Sequence, residues 1–201
     1  TSIALTRSPD TLSGTMHHQN SAHQRQIHWL GQRACCDSTQ VGGKAANLSK
    51  LALRYPVPAG FCLAVQPCGH HTELEDHEPI LHAYRTLEQI VSQPEIGVAV
   101  RSSGVDEDGK FASFAGQYET FLNVRGSGAV LAAVDKCLHS AFAARAMEYR
   151  LQNGLNSSDI RLAVLVQQLV PADVSAVIFS ANPINGKRDE TVITASWGLG
   201  E

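Results

Sequence analysis

The strongest constraint on the fold is an almost continuous apolar run from Leu162 to Val170, which is interrupted only by Gln167 and Gln168. Such a run is typical of a strand that other elements cover on both faces. A buried strand must provide hydrogen-bond partners for any side-chain amide that it contains. The two glutamines therefore indicate either structural hydrogen bonds or contact with a ligand.

The rest of the sequence alternates between strand and helix patterns, which predicts an α+β fold. Strands are predicted at 60–65, 98–100, 117–124, 162–170, 176–180 and 192–196. Helices are predicted after Gly43, where Pro56 and Pro58 end the first one, then at 78–92 and as one long helix at 127–152. In the strand at 117–124, strict alternation places Tyr118, Thr120, Leu122 and Val124 on one face.

Three regions follow from these patterns. Residues 1–26 are rich in Ser, Thr, His and Gln without any periodicity, and they predict a disordered tail. Residues 27–97 form a first predicted subdomain, which contains a Gly-Gly-Lys loop, and residues 98–201 form a second.

Composition excludes several classes of protein. The net charge of −3 in 201 residues provides no basic surface for nucleic acid or for an anionic membrane. No apolar stretch approaches the roughly 20 residues of a membrane helix, and the first thirty residues lack the apolar core of a secretory signal. We therefore expect a cytoplasmic protein with no nucleic-acid or membrane partner. The five cysteines are an odd number without regular spacing, which predicts reduced thiols.

The segment Gly42-Gly43-Lys44 lies where a loop enters a predicted helix. Such a terminus offers free backbone N–H groups and a partial positive charge to an anion. The segment is not a Walker P-loop, because Ser38 replaces the required glycine and Ala45 replaces the required Ser or Thr. The alternative is a turn followed by a solvated lysine. A lysine in a first helical turn opposes the helix dipole, which favours a ligand role.

The predicted strand at 98–100 delivers Arg101 to a predicted loop that begins with Ser102 and Ser103. A guanidinium with two neighbouring hydroxyl groups suits bidentate capture of a phosphate. The alternative is an ordinary ion pair between Arg101 and one of three nearby acids, Asp106, Glu107 or Asp108. Those acids are either Mg²⁺ ligands or, more simply, a solvated charged turn.

Three further positions are candidate ligand contacts. Gly116 would let the backbone approach a ligand, and Thr120 supplies a hydroxyl group on the following strand. The alternative is a bend that starts a strand. One of the two strand glutamines, Gln167 or Gln168, would hydrogen-bond the edge of a purine, unless both amides are satisfied structurally.

A metal site is not predicted. Cys68 lies near four histidines, but their spacing is irregular and lacks the paired ligands of a zinc site. The histidines are His70, His71, His77 and His82.

Six segments, taken in order, resemble a known family. They are VGGKAANL (41–48), YPVPAGF (55–61), VAVRSS (98–103), SFAGQYETFLNV (113–124), VQQLV (166–170) and WGLGE (197–201). Together they resemble the ATP-binding domain of the dikinase family that includes phosphoenolpyruvate synthase, pyruvate phosphate dikinase and rifampin phosphotransferase. The resemblance runs from about Ile27 to Glu201.

The resemblance implies an ATP-grasp-like fold of the pyruvate phosphate dikinase N-terminal type, incomplete at its C-terminus, with ATP between two subdomains. It assigns the phosphates to Lys44 and Arg101, which would be the catalytic residues. It places Gly116 and Thr120 along the phosphate and ribose, and Gln167 beside the adenine. ATP and Mg²⁺ are the implied cofactors.

The implied partner is a domain that carries a phosphohistidine, located in a missing remainder or in a separate chain. In the family, that histidine passes the phosphoryl group to pyruvate or, in the antibiotic-modifying branch, to a drug hydroxyl. We expect the present chain to be inactive by itself, because the metal-binding positions of the family would lie beyond Glu201. A non-catalytic nucleotide-binding module is a further alternative.

Two departures from the family pattern affect these expectations. The segment 66–97 is shorter than the helical region expected in most relatives, which predicts a trimmed first subdomain. The sequence Ser103-Gly104-Val105-Asp106 differs from the usual small residues and threonine, which leaves the local phosphate geometry open.

Overall fold

A computed structural model of the chain describes residues 26–67, 76–105, 108–109, 112–113, 119–152 and 160–199. The predicted tail therefore lies outside the described residues except for Gln26. The same holds for Gly116 and Tyr118, and for the acids Asp106 and Glu107. Helices and strands share one fold, as the α+β prediction requires.

Nine strands and four α-helices are present in the described part of the chain. The strands are β1 (Ile27–Trp29), β2 (Gly60–Pro67), β3 (Val98–Gly104), β4 (Asp108–Gly109), β5 (Ala112–Ser113), β6 (Thr120–Val124), β7 (Arg161–Gln168), β8 (Val174–Phe179) and β9 (Val192–Trp197). The helices are α1 (Ser38–Ala52), α2 (Glu78–Val91), α3 (Ser127–Ser140) and α4 (Ala144–Gln152), and a 3-10 helix spans Arg33–Cys36.

Five strands form the central sheet in the order β1-β2-β7-β3-β6, and each pairs antiparallel with its neighbours. The apolar run of the sequence is its middle strand, β7, in which residues 162–166 are completely buried. The boundary predicted between residues 97 and 98 falls within this sheet, because β2, which precedes it, pairs with β7, which follows it.

The two faces of the sheet are covered by different helices. One face packs on α2 and α3 in a core cluster that includes Phe61, Leu63, Tyr84, Leu87, Val98, Val100, Val134, Leu138, Leu162, Val164 and Val166. The other face packs on α1 in a smaller cluster that includes Cys35, Val41, Ala45, Ala46, Cys62, Ala163 and Leu165. Because side chains alternate along a strand, each residue of β3 and β7 is assigned to one of these faces.

The long helix predicted at 127–152 is wrong in one respect, since the chain breaks it between α3 and α4. Around the break the backbone changes to i→i−3 hydrogen bonds, such as Phe142 N to His139 O at 3.0 Å. The Ser140 hydroxyl also donates to the Cys137 carbonyl at 2.7 Å, which competes with the helical bond. The tightened turn lets Phe142 pack against the larger core.

The predicted single face of β6 is also wrong. Thr120 is opposite Arg101 and Phe121 is opposite Val100, but Val124 is opposite Val98, so β6 has one extra residue in this stretch. Such a bulge reverses the alternation. As a result Thr120 lies on the α1 face, whereas Phe121 and Val124 both pack against the larger core.

Strands β8 and β9 form a separate hairpin whose side chains are largely exposed. Its exposed apolar residues include Val174, Val177, Ile178, Phe179, Ile193 and Trp197. The loop of the hairpin is tied together by Glu190, whose carboxylate accepts from Asn182 at 2.7 Å and from Lys187 at 2.8 Å. No helix within the described ranges is long and apolar enough to cross a membrane.

Tyr84 provides the first prediction. Its hydroxyl donates to the Ile96 carbonyl at 2.9 Å and accepts from the Gly126 N–H at 3.1 Å, so it joins α2 to the start of β3 and of α3. Tyr84→Phe leaves the two backbone groups without this partner and is expected to lower the free energy of unfolding by about 1 to 3 kcal/mol. Urea denaturation measures the change.

Tyr55→Phe is the matched control for Tyr84→Phe, because Tyr55 is 62% exposed. It should leave the unfolding midpoint within experimental error. Equal midpoints for the two variants would contradict the structural role assigned to the Tyr84 hydroxyl.

Candidate functional site

Strand β3 brings the predicted arginine and serine onto the α1 face of the sheet. Val98 and Val100 belong to the core on the α2–α3 face, so Ala99, Arg101 and Ser103 lie on the other side. Arg101 is within the strand rather than in the loop after it, because β3 continues to Gly104. The arginine and Ser103 are therefore two residues apart on one surface.

The glycine turn rests directly on the end of β3. Gly42 has φ 72° and ψ 170°, so it interrupts the helical geometry of α1 and a new helical segment starts after it. A Cβ atom at Gly42 would lie 2.5 Å from Ser103 Oγ and would overlap the Ser103 carbonyl oxygen. Only glycine combines this φ with this close approach. Two motifs 58 residues apart are thus brought into contact.

Lys44 lies in the first turn of the helical segment that follows Gly42. Its side chain is half-buried, and the next N–H, that of Ala45, donates to Ser103 Oγ at 3.3 Å. Ser103 thus caps this segment in the way that a serine caps a helix N-terminus. The first turn of a helix carries a partial positive charge that Lys44 reinforces, which makes this corner suitable for an anion.

Arg101 lies beside Thr120 and Leu165 on the neighbouring strands. The guanidinium is half-buried, and its Nε atom is buried without a hydrogen-bond partner in the described part of the chain. Thr120 is exposed, and its position directly opposite Arg101 places it on the same face. A half-buried arginine beside an exposed threonine hydroxyl on the same face is a suitable contact for phosphate oxygens.

Gln167 lies on the same face, opposite Ala99 of β3 and Gly60 of β2. Its Nε2 donates to the Pro58 carbonyl at 3.1 Å. The amide nitrogen of Gln167 therefore makes a structural hydrogen bond, which was the alternative to a ligand contact. A Cβ atom at Gly60 would lie 2.9 Å from Gln167 Cα, so the glycine allows the two strands to approach at this point. The Oε1 atom of Gln167 accepts no hydrogen bond from the residues that the structure describes.

Gln167, Arg101 and Ser103 thus form a row along the α1 face. Gln167 is level with Ala99, and Ser103 lies four steps along the strand from Ala99, which corresponds to about 14 Å. The Gly42–Lys44 turn closes the row at the Ser103 end. The structure therefore brings together Lys44, Arg101, Thr120 and Gln167, whereas Gly116 lies outside the described residues.

The role of Ser103 as the support of the glycine turn was not predicted. The sequence indicated only that Ser102 and Ser103 stand beside an arginine. The available signal was a small residue at the end of a strand and a glycine pair elsewhere in the sequence. The sequence does not show which glycine contacts which serine.

Two buried cysteines lie beneath the turn. Cys62 Sγ donates to the carbonyl of Val41, the residue before Gly42, at 3.6 Å. Burial raises the pKa of the Cys62 thiol well above its usual value of 9.0 and raises the pKa of Cys35 to about 11. Both groups therefore remain neutral thiols at physiological pH and pack as small apolar side chains.

Metal ligands are not grouped in the part of the chain that the structure covers. Among these residues no three His, Cys, Asp or Glu side chains are arranged to hold a metal ion. His77 and His82 lie at the start of α2, whereas Cys68, His70 and His71 are outside the described ranges.

Comparison with known proteins identifies the family. Residues 71–201 match the family described as "Pyruvate phosphate dikinase, AMP/ATP-binding domain". The chain belongs to this family. The matched range contains Arg101, Gly116, Thr120 and Gln167, whereas Lys44 precedes it.

Individual relatives agree with the family match. A probable phosphoenolpyruvate synthase of Methanocaldococcus jannaschii is 47% identical over 216 residues, which cover 87% of this chain and 18% of the relative. The phosphoenolpyruvate synthase of Pyrococcus furiosus is 47% identical over 124 residues, 62% of this chain and 15% of the relative. A rifampicin phosphotransferase of Streptomyces sviceus is 35% identical over 198 residues, 80% of this chain and 23% of the relative.

These matches have two consequences. Coverage of 87% could not be reached by an alignment that began after Lys44, so the glycine turn lies within the match to the Methanocaldococcus jannaschii protein. The alignment of 216 residues is also longer than the whole 201-residue chain, so that relative has residues that this chain lacks. The chain spans less than a quarter of the length of each of these three relatives.

The Gly42 contact provides the second prediction. Gly42→Ala combines a positive φ with an overlap against Ser103, and is expected to lower the free energy of unfolding by at least about 2 kcal/mol or to displace the turn. Chemical denaturation measures the first effect.

Gly128→Ala is the matched control, because a Cβ atom at Gly128 in α3 meets nothing within 4 Å. Alanine has the higher helix propensity, so this variant should be neutral or slightly more stable. A Gly42→Ala protein as stable as the control would show that the turn does not depend on close contact with Ser103.

Proposed function

We propose that this chain is the ATP-binding part of a dikinase-type phosphotransferase that resembles phosphoenolpyruvate synthase. The observation that carries the proposal is the contact between Gly42 and Ser103, which joins the Gly-Gly-Lys turn to the strand that carries Arg101. Membership of the ATP-binding family supports the same conclusion. The proposal includes the transfer reaction, its acceptor and a partner domain. The relatives are several times longer than this chain, and the partner domain would correspond to a part of them that this chain does not cover.

In this proposal the phosphates of ATP lie at the Ser103 end of the row. Lys44 and Arg101 are the catalytic and nucleotide-binding cations, which offset phosphate charge and orient the terminal phosphoryl group. Thr120 and Gly116 line the phosphate and ribose. The adenine lies toward Gln167, whose Oε1 accepts from the exocyclic amino group while its Nε2 remains bonded to Pro58.

Mg²⁺ is part of the proposal only as an ion that the nucleotide phosphates carry. The described side chains do not provide a metal site, so we assign no ligand and no step to the ion. We also propose an ATP-grasp-like arrangement and a cytoplasmic location. A histidine on another domain or another chain would accept the phosphoryl group.

Two other functions are less well supported. A rifampicin phosphotransferase would use the same nucleotide site, but the identity to such a protein is 35%, compared with 47% to a probable phosphoenolpyruvate synthase. A non-catalytic nucleotide-binding module would also use this site and would lack the partner domain.

Titration calorimetry of a non-hydrolysable ATP analogue and of adenosine tests the phosphate contacts. Lys44→Ala and Arg101→Ala should each weaken binding of the analogue by about 1.5 to 3 kcal/mol, because each removes a charge-assisted hydrogen bond. Binding of adenosine should change little, since adenosine has no phosphate.

Lys50→Ala and Arg54→Ala are the controls, because both cations are exposed in or just after the same helix, α1. They should bind the analogue as the unchanged protein does. Equal losses for analogue and adenosine, with unchanged thermal melts, would contradict the assignment of Lys44 and Arg101 to the phosphates.

The inactivity of the chain by itself is a separate prediction. Phosphoryl transfer needs an acceptor in line with the phosphoryl group, and we identify no such nucleophile in the row. Incubation with ATP labelled at the β- or γ-phosphate should therefore give neither acid-labile phosphohistidine nor steady formation of AMP. Stoichiometric phosphohistidine on this chain would contradict the prediction, and mapping of the labelled residue would identify the acceptor.

A further inference from the structure

A cleft lies at the end of the central sheet, away from the Gly42–Lys44 turn. It has a volume of about 520 Å³ and is formed where β7 leaves the sheet, β3 enters it and β6 ends. This volume is within the roughly 300 to 1,000 Å³ of small-molecule sites. None of Lys44, Arg101, Thr120 or Gln167 lines the cleft.

The walls of the cleft combine two opposite charges with apolar surface. Arg125 and Asp173 both line it, together with the apolar residues Ile96, Leu169, Pro171 and Leu199. Among the described residues, the Arg125 guanidinium donates to Asn123 Oδ1 and to the Glu95 carbonyl, both at 3.1 Å. Within the described part of the chain, Arg125 and Asp173 do not form a salt bridge with each other, although they face the same space.

The position of Arg125 is built by strained backbone. Asn123 and Glu95, which supply its two hydrogen-bond acceptors, have φ values of 51° and 47°. Non-glycine residues rarely adopt such angles, and they persist where surrounding structure requires them. A Cβ atom at Gly97 would lie 3.1 Å from Arg125 Nη2 and 2.8 Å from Asn123 Oδ1. The position of the guanidinium therefore also depends on the absence of a side chain at Gly97.

The charges limit what the cleft can bind. A purely anionic ligand would be attracted by Arg125 and repelled by Asp173, and a purely cationic ligand would meet the reverse. A ligand with one group of each sign satisfies both. We propose that this cleft binds a free α-amino acid with an apolar side chain: the carboxylate on Arg125, the ammonium on Asp173 and the side chain against the apolar wall.

L-Leucine and two analogues that each lack one charge test the proposal on the 201-residue chain. Ligand-observed NMR titration should give saturable binding of L-leucine in the millimolar range or tighter. 4-Methylpentanoate, which lacks the ammonium group, and 3-methylbutylamine, which lacks the carboxylate, should each bind more weakly. A non-hydrolysable ATP analogue should not displace L-leucine, because the proposed nucleotide row is separate.

Two variants test the contributions of Asp173 and Arg125 separately. Asp173→Asn should raise the dissociation constant of L-leucine at least about tenfold. The dissociation constant of 4-methylpentanoate should stay unchanged or fall, because the repulsion between the two carboxylates is removed. Arg125→Gln should raise the dissociation constants of L-leucine and 4-methylpentanoate by a similar factor, because both ligands have a carboxylate. Asp189→Asn, an exposed acid outside the cleft, should have no effect.

The proposal is overturned if L-leucine shows no saturable binding, or if it binds no better than the two analogues. Displacement by the ATP analogue would also overturn it, since the cleft would then be part of the nucleotide site. Thermal melts identify an Arg125→Gln protein that fails to fold, and in that case the titrations of the unchanged protein and of Asp173→Asn decide the outcome.

Discussion

The candidate nucleotide site depends on one contact in which a side chain is absent. Gly42 lies so close to the end of β3 that any larger residue would overlap Ser103. The contact interrupts α1, starts a second helical segment at Gly43 and turns its N-terminus toward the strand that carries Arg101. Without it, Lys44 and Arg101 would be two unrelated surface cations. The close approach of two backbones therefore creates the positive corner, and the charged side chains only complete it.

The middle strand decides which residues can act together. β7 is hydrogen-bonded to β2 on one side and to β3 on the other, so its register sets the face of every residue in both neighbours. A slip of one residue would turn Gln167 toward the larger core and would move Leu165 out of the α1 cluster. The uniform burial of residues 162–166 makes such a slip costly, because both faces of this strand are packed.

Much of this arrangement could be predicted from local sequence. The apolar run predicted the buried strand, and the glycine and arginine motifs indicated candidate residues that the structure places on one face of the sheet. Long-range geometry was not accessible in the same way. The bulge in β6 that separates Thr120 from Val124, and the turn that separates α3 from α4, arise from packing and from competing hydrogen bonds of residues such as Ser140. The role of Ser103 depends on a hydrogen bond with Ala45, 58 residues away, which local sequence does not predict.

The two adjacent glutamines connect the row to the cleft. Gln167 points to the α1 face, whereas Gln168 lines the cleft, because successive residues of a strand alternate. The end of β7 is attached on both sides, by Gln168 N to Ala59 O at 2.8 Å and by Leu169 N to Gly97 O at 2.9 Å. Ala59 precedes β2 and Gly97 precedes β3, so the same hydrogen bonds position the Gln167 end of the row and one wall of the cleft. Two ligands bound there would contact opposite faces of one fixed strand end and would not need to compete.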